Sequence, residues 1–206
     1  MNTRKEKNIN DELIEKISNN KGCPLCSSIM DFEFDQFCQL PYEITHNEEI
    51  RKQITMEGGF CDFHFRQFKK IASGKTNILL LKAIVQSDVY KQEEFSIKCR
   101  ICESINEYEE KLLRTFMEYL FDNKSRMKFR MSNGICFVHL SFLNKFNDVN
   151  EILEWLHKVH VEQIKKMQTD FDNMSQYKSF YEIDPEKRIL INILIEKLAG
   201  RKTGGL

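Results

Sequence analysis

Apolar positions recur at helical spacing along most of this chain. From Ser27 onward, Ile29, Met30, Phe32, Phe34, Phe37 and Leu40 describe the wide buried face of a helix, and Pro41 marks its expected end. Upstream, Asn10 to Ser18 reads as a first helix with Asn10 as its N-cap, followed by Asn19, Asn20 and Gly22. A short helix is expected from Asn47 to Met56, broken by Gly58-Gly59, with another starting at Asp62. A long linking helix is expected from Thr76 to Phe95. Later, Val149, Ile152, Leu153, Leu156, Val159, Ile164, Met167 and Phe171 keep helical spacing through several turns. Tyr177 to Ile183 reads as irregular. Asp184-Pro185 then supplies an N-cap and a first-turn proline for a last helix reaching Ala199, where Gly200 suits the C′ position. Arg201 to Leu206 reads as a disordered tail.

A second pattern is laid over the first. Cys23-Pro-Leu-Cys26 is followed after 34 residues by Cys61-Asp-Phe-His64, and Cys99-Arg-Ile-Cys102 after 33 residues by Cys136-Phe-Val-His139. The CxxC pairs are offset by 76 positions and the CxxH pairs by 75. The repetition extends past the cysteines: Ile29, Phe32 and Glu33 map to Ile105, Tyr108 and Glu109, and Arg51, Met56 and Gly59 map to Arg126, Met131 and Gly134. Phe65, Phe68 and Ile71 likewise map to Leu140, Leu143 and Phe146. Chemistry and apolar pattern repeat together, the mark of a duplicated structural element.

Two cysteines separated by two residues can turn both sulfurs onto one ion. A CxxH pair does the same with one sulfur and one imidazole nitrogen, and two such pairs complete a tetrahedron. The expected metal ligands are therefore Cys23, Cys26, Cys61, His64, Cys99, Cys102, Cys136 and His139, holding two ions per chain. Zinc is the default for such a donor set. An iron–sulfur cluster is the rival, since His is a known replacement for one thiolate. A site with four protein ligands leaves no position for water or substrate, which is the structural arrangement rather than the catalytic one. Duplication favours local closure, with Cys23, Cys26, Cys61 and His64 on one ion and Cys99, Cys102, Cys136 and His139 on the other. An exchanged arrangement would use the same eight ligands.

Composition narrows the classes. Three prolines and eight glycines in 206 residues suit long helices better than a many-turned β-fold, and 16 Phe provide ample core material. The expected fold is all-α: two duplicated helical elements, each stapled by a three-cysteine, one-histidine site, with C-terminal helices packed on them. The expected segments are 1–75, 76–148 and 149–206, within one globule. Lys+Arg and Asp+Glu both number 31, so the chain lacks the basic footprint of a nucleic-acid binder. Deprotonating six cysteines around two divalent ions would take it from neutral to about −2. Met1 to Lys16 has no apolar signal-peptide core, and the most apolar run, Ile78 to Val85, is far short of the ~20 residues a membrane helix needs. A cytoplasmic location is expected, where structural disulfides are rare and seven cysteines call for another explanation.

Other signals carry less. Gly74-Lys75-Thr76 lacks the upstream glycine and strand of a phosphate loop and reads as a turn between helices. His157 and His160 read as surface or boundary histidines, and Cys38, outside the repeat, as a small buried apolar residue. No Ser/His/Asp arrangement can be assigned, so an interaction or adaptor module with a protein partner is expected rather than an enzyme; the alternative is an iron–sulfur, redox or metal-handling protein using the same eight ligands.

The tandem CPLC…GFCxxH and CxxC…GxCxxH elements, with the terminal Leu198-Ala199-Gly200-Arg201-Lys202, resemble an uncharacterised prokaryotic family of comparable length, classed as a domain of unknown function. The resemblance covers nearly the whole chain. It implies metal binding and no particular activity. Where the first knuckle has Pro24, the second has Arg100, so the two sites are expected to differ in stability.

Overall fold

The computed structural model describes residues 8–19, 22–87, 89–91, 97–146, 150–172, 177 and 179–200. Among these the fold is all-α, as expected, with no strand. The helices are α1 (Ile9–Asn19), α2 (Pro24–His46), α3 (Glu48–Met56), α4 (Asp62–Ile71), α5 (Gly74–Gln86), α6 (Arg100–Tyr119), α7 (Asn123–Arg130), α8 (Phe137–Leu143), α9 (Asn150–Asp172) and α10 (Pro185–Ala199).

Most boundaries follow local chemistry. Asn47 caps α3 by accepting from the Ile50 amide at 3.2 Å, and Ser73 caps α5 by accepting from Thr76 at 3.1 Å. The Gly74-Lys75-Thr76 stretch is thus the first turn of a helix entered from α4. Pro185 opens α10, and Gly200 follows it at φ 68°.

Three helices differ from expectation at their ends. The α1 cap is Asn8 rather than Asn10: its side chain accepts from the Asn10 amide at 3.1 Å and its carbonyl from Glu12. Helix α2 starts at Pro24 rather than Ser27 and runs past Pro41. Proline removes one helical hydrogen bond, but Leu40 and Ile44 on either side of it are buried and hold the helix in register. One turn on, the Thr45 hydroxyl donates to the Pro41 carbonyl at 2.7 Å. The linking helix α5 ends at Gln86, well before Phe95, where the Ser87 hydroxyl takes the Ile84 carbonyl at 2.7 Å. A single 3₁₀ turn, Val89–Lys91, follows, and residues 92–96 lie outside the described residues, as does the tail from Arg201.

The described chain divides into two compact units that do not follow the order of the repeats. One, here the flanking unit, joins residues 8–28 to 110–200; the other, the inserted unit, is 29–109. In the flanking unit α1 packs on α7 and α10 on α8. Its buried side chains include Leu13, Ile17, Leu25, Phe116, Leu120, Phe129, Leu140 and Leu156, with the Phe116 and Phe129 rings meeting edge to face at 5.2 Å. In the inserted unit α3 and α4 pack on α5, over Phe37, Ile44, Ile54, Phe60, Phe68 and Leu80. Phe32 and Tyr108, equivalent positions of the two copies, stack within this unit with centroids 4.2 Å apart and planes 2° from parallel.

Phe116→Ala opens a cavity in a fully buried site and is expected to destabilise the protein by about 3–5 kcal/mol. Urea unfolding checks this: the midpoint falls with little change in slope.

Candidate metal centres

The four half-sites share one local structure. Cys61 and Cys136 occupy the N-cap positions of α4 and α8, with extended backbone (φ −62°, ψ 162° and φ −78°, ψ 163°). Cys23 and Cys99 immediately precede α2 and α6, and their carbonyls accept from Ser27 and Glu103, as a cap residue's carbonyl does. The second ligand of each pair then falls in the first turn, three residues on. Every half-site is therefore a helix N-terminus, whose partial positive charge favours a thiolate. Gly59 and Gly134 turn the chain into the two CxxH helices at φ 90° and 71°. A Cβ on Gly59 would lie 2.5 Å from the Phe65 ring, so no other residue fits there without displacement.

All eight expected residues come together, in two groups of four whose ligand atoms lie within 4.8 Å of one another. The pairing is not the local one. Cys23 and Cys26 of the first copy join Cys136 and His139 of the second, inside the flanking unit. Cys61 and His64 of the first join Cys99 and Cys102 of the second, inside the inserted unit. Each copy gives its CxxC to the other's CxxH.

In the flanking cluster His139 Nδ1 lies 3.5, 3.4 and 3.1 Å from the sulfurs of Cys23, Cys26 and Cys136, and the Cys26 and Cys136 sulfurs are 3.6 Å apart. In the inserted cluster His64 Nδ1 lies 3.2, 3.2 and 3.3 Å from Cys61, Cys99 and Cys102, and the Cys61 and Cys102 sulfurs are 3.7 Å apart. These sulfurs are much farther apart than the ~2.05 Å of a disulfide, and none of the seven cysteines is bonded to another.

Residues beyond the repeat fix each cluster. In the inserted unit the buried Glu33 carboxylate accepts from His64 Nε2 at 3.3 Å, which leaves Nδ1 facing the sulfurs. Arg100, the departure from Pro24, makes two hydrogen bonds to the Glu57 carboxylate (3.1 and 3.3 Å), and the Lys98 amide donates to the Glu57 carbonyl at 3.1 Å. These bonds seat the second CxxC beside the glycine turn that leads to the first CxxH. In the flanking unit the buried Lys197 amine donates to the Asn133 carbonyl at 2.6 Å and to Gln163 Oε1 at 2.8 Å, while Gln163 donates to the Ser132 carbonyl at 2.9 Å. This network pins the turn at Gly134 from α9 and α10. The repetition of Glu33 as Glu109 was a signal for the first device; nothing in the sequence marks Lys197 or Gln163.

The two clusters also differ electrically. Burial and the hydrogen bonds to Cys136 and Cys26 push the Cys23 thiol well above its usual value, while those from Cys23 and Cys26 hold Cys136 far below it. In the inserted cluster, burial would lower His64 and raise Cys99. Their mutual hydrogen bond, with Glu33 behind the histidine, outweighs this, holding His64 at about 10 and Cys99 at about 6. Burial and the neighbouring Cys99 raise Cys102 to about 12. Burial lowers Lys197 to about 8 against the attraction of Cys23 and Cys136.

Cys38 is exposed on α2, not buried. His157 is exposed and bonds Asn144 at 3.0 Å, but His160 is buried against the Phe137 ring, and burial lowers it to about 4. Among the described residues the two clusters are the only metal-like groups, and no helix is long and apolar enough to cross a membrane. No family model, curated protein or solved structure matches the chain.

Cys23→Ser combined with Cys136→Ser removes two ligands from one cluster and should leave one tightly held ion. Cys23→Ser with Cys61→Ser weakens both clusters; metal counts after challenge with a weak chelator separate the exchanged pairing from the local one. Metal entering the inserted cluster at neutral pH must displace protons from His64 and Cys102, both of which hold theirs above pH 7. Metal binds the deprotonated groups, so affinity falls as pH falls, by roughly tenfold per displaced proton per pH unit. Competition titrations between pH 8 and 7 should read about a hundredfold loss for these two protons.

Proposed function

We propose that both clusters hold zinc as closed structural sites and that the protein serves as a helical interaction module. The ligand spacing carries this reading. With Zn–S of about 2.3 Å and Zn–N of about 2.0 Å, a regular tetrahedron has S···S edges of roughly 3.8 Å and S···N edges of roughly 3.5 Å. The contacts here, 3.6–3.7 Å and 3.1–3.5 Å, are close to those of one ion. An iron–sulfur cluster interposes several irons and sulfides, so its ligands stand farther apart than one tetrahedral edge. The resemblance to an uncharacterised prokaryotic family is consistent with metal binding and supplies no activity.

Four protein ligands at each ion leave no open coordination position, which argues for architecture over catalysis. The balanced charge argues against nucleic acid as partner. An exposed apolar stripe on α5, formed by Ile78, Leu81 and Val85, supports a protein partner. The cysteine usage accords with a reducing, cytoplasmic setting.

Elemental analysis with an absorption spectrum, on protein purified without oxygen or added metal, tests the reading. The expected result is about two zinc per chain with no visible band, and loss of helix by circular dichroism when a strong chelator strips the metal. Iron with broad visible absorbance would replace zinc by a redox centre.

A further inference from the structure

The eight ligands divide unequally between solvent and core. All four of the flanking cluster are buried, whereas Cys61 and Cys102 of the inserted cluster are each partly open to solvent, with Cys99 and His64 behind them. The charged neighbours differ as well. One zinc with three thiolates carries one excess negative charge. In the flanking unit the buried Lys197 offsets it; in the inserted unit the carboxylate of Glu33 adds to it. Extra negative charge raises the electron density on the sulfurs, and exposure lets a reagent reach them.

We propose that the inserted cluster is a thiolate-reactive site that takes peroxide-class oxidants and releases its zinc, while the flanking cluster keeps its ion as a permanent staple. The inference rests on the reading that both clusters bind zinc. The reacting pair is Cys61 and Cys102, the two accessible sulfurs, 3.7 Å apart. One thiolate attacks a peroxide oxygen, breaking the O–O bond and becoming a sulfenic acid while the other oxygen leaves as water once protonated. The second thiolate then displaces the sulfenic oxygen, forming the S–S bond as a second water departs. The two sulfurs lose two electrons, the peroxide accepts them with two protons, and zinc leaves as Zn(II) because two of its four ligands are gone. Cys99 and His64 remain as a half-site that a reductant can complete again.

The test uses the intact zinc-loaded protein. Hydrogen peroxide is titrated in while a colorimetric chelator counts released zinc and peptide mass mapping follows each thiol. The expected result is release of one equivalent in step with a Cys61–Cys102 disulfide, with the second equivalent leaving at least about tenfold more slowly and Cys23, Cys26 and Cys136 unmodified. Exposed Cys38 serves as the accessible-thiol control. Glu33→Gln, which removes the added negative charge, should slow formation of the Cys61–Cys102 disulfide several-fold, read per zinc-loaded molecule. Cys61→Ser with Cys102→Ser should show only the slow ion. Simultaneous loss of both ions, or a first disulfide involving Cys23, Cys26 or Cys136, overturns the inference while leaving the zinc reading intact. Protein that never carries two zinc equivalents sinks both.

Discussion

Two helix N-termini meet at each cluster, and the rest of the structure depends on that meeting. Each N-terminus carries a partial positive charge of roughly half a unit and unpaired amides, so bringing two together is unfavourable without negative charge between them. Cysteine at the cap position, with a second ligand three residues on, supplies it. Cys23 and Cys136 bring α2 and α8 together in the flanking unit, and Cys61 and Cys99 bring α4 and α6 together in the inserted one. On the zinc reading, the ion turns this mutual repulsion into a bonded junction. The helices themselves are ordinary; it is the junctions that hold specific pairs of them in place.

The exchange of half-sites gives the repeated sequence pattern its structural meaning. A single copy here closes neither cluster, because its CxxC and CxxH lie in different units. The stacking of Phe32 on its counterpart Tyr108 belongs to the same reciprocity: equivalent side chains meet each other, as across an isologous interface. The surroundings have nevertheless diverged. Glu33 supports the histidine of one cluster and Lys197 lies beside the sulfurs of the other, so ligand sets with the same chemistry sit in fields of opposite sign. Arg100 belongs to this divergence, replacing a helix-opening proline by a side chain that anchors the knuckle to Glu57.

The sequence by itself determined the eight cysteines and histidines that cluster and the class of fold. A spacing of three between ligands is the spacing of one helical turn, and the apolar positions around it repeat at the same period; both are local facts. The Asn47 and Pro185 helix starts were legible for the same reason. Local rules erred where tertiary burial outweighed them, as at Pro41, which Leu40 and Ile44 carry through the helix. The pairing of half-sites was decided only by the tertiary structure. The intervals from Cys26 to Cys61, His64 to Cys99 and Cys102 to Cys136 are 34, 34 and 33 residues, so chain length offers the inserted cluster no preference between partners. Closing Cys26 onto Cys136 spans 109 residues instead of 34, an entropic cost of only about 1 kcal/mol. Packing of α1 on α7 and α10 on α8, and the Arg100–Glu57 and Lys197–Gln163 contacts, can outweigh a difference of that size. Those contacts join residues tens of positions apart, at distances along the chain where no periodicity survives to be read.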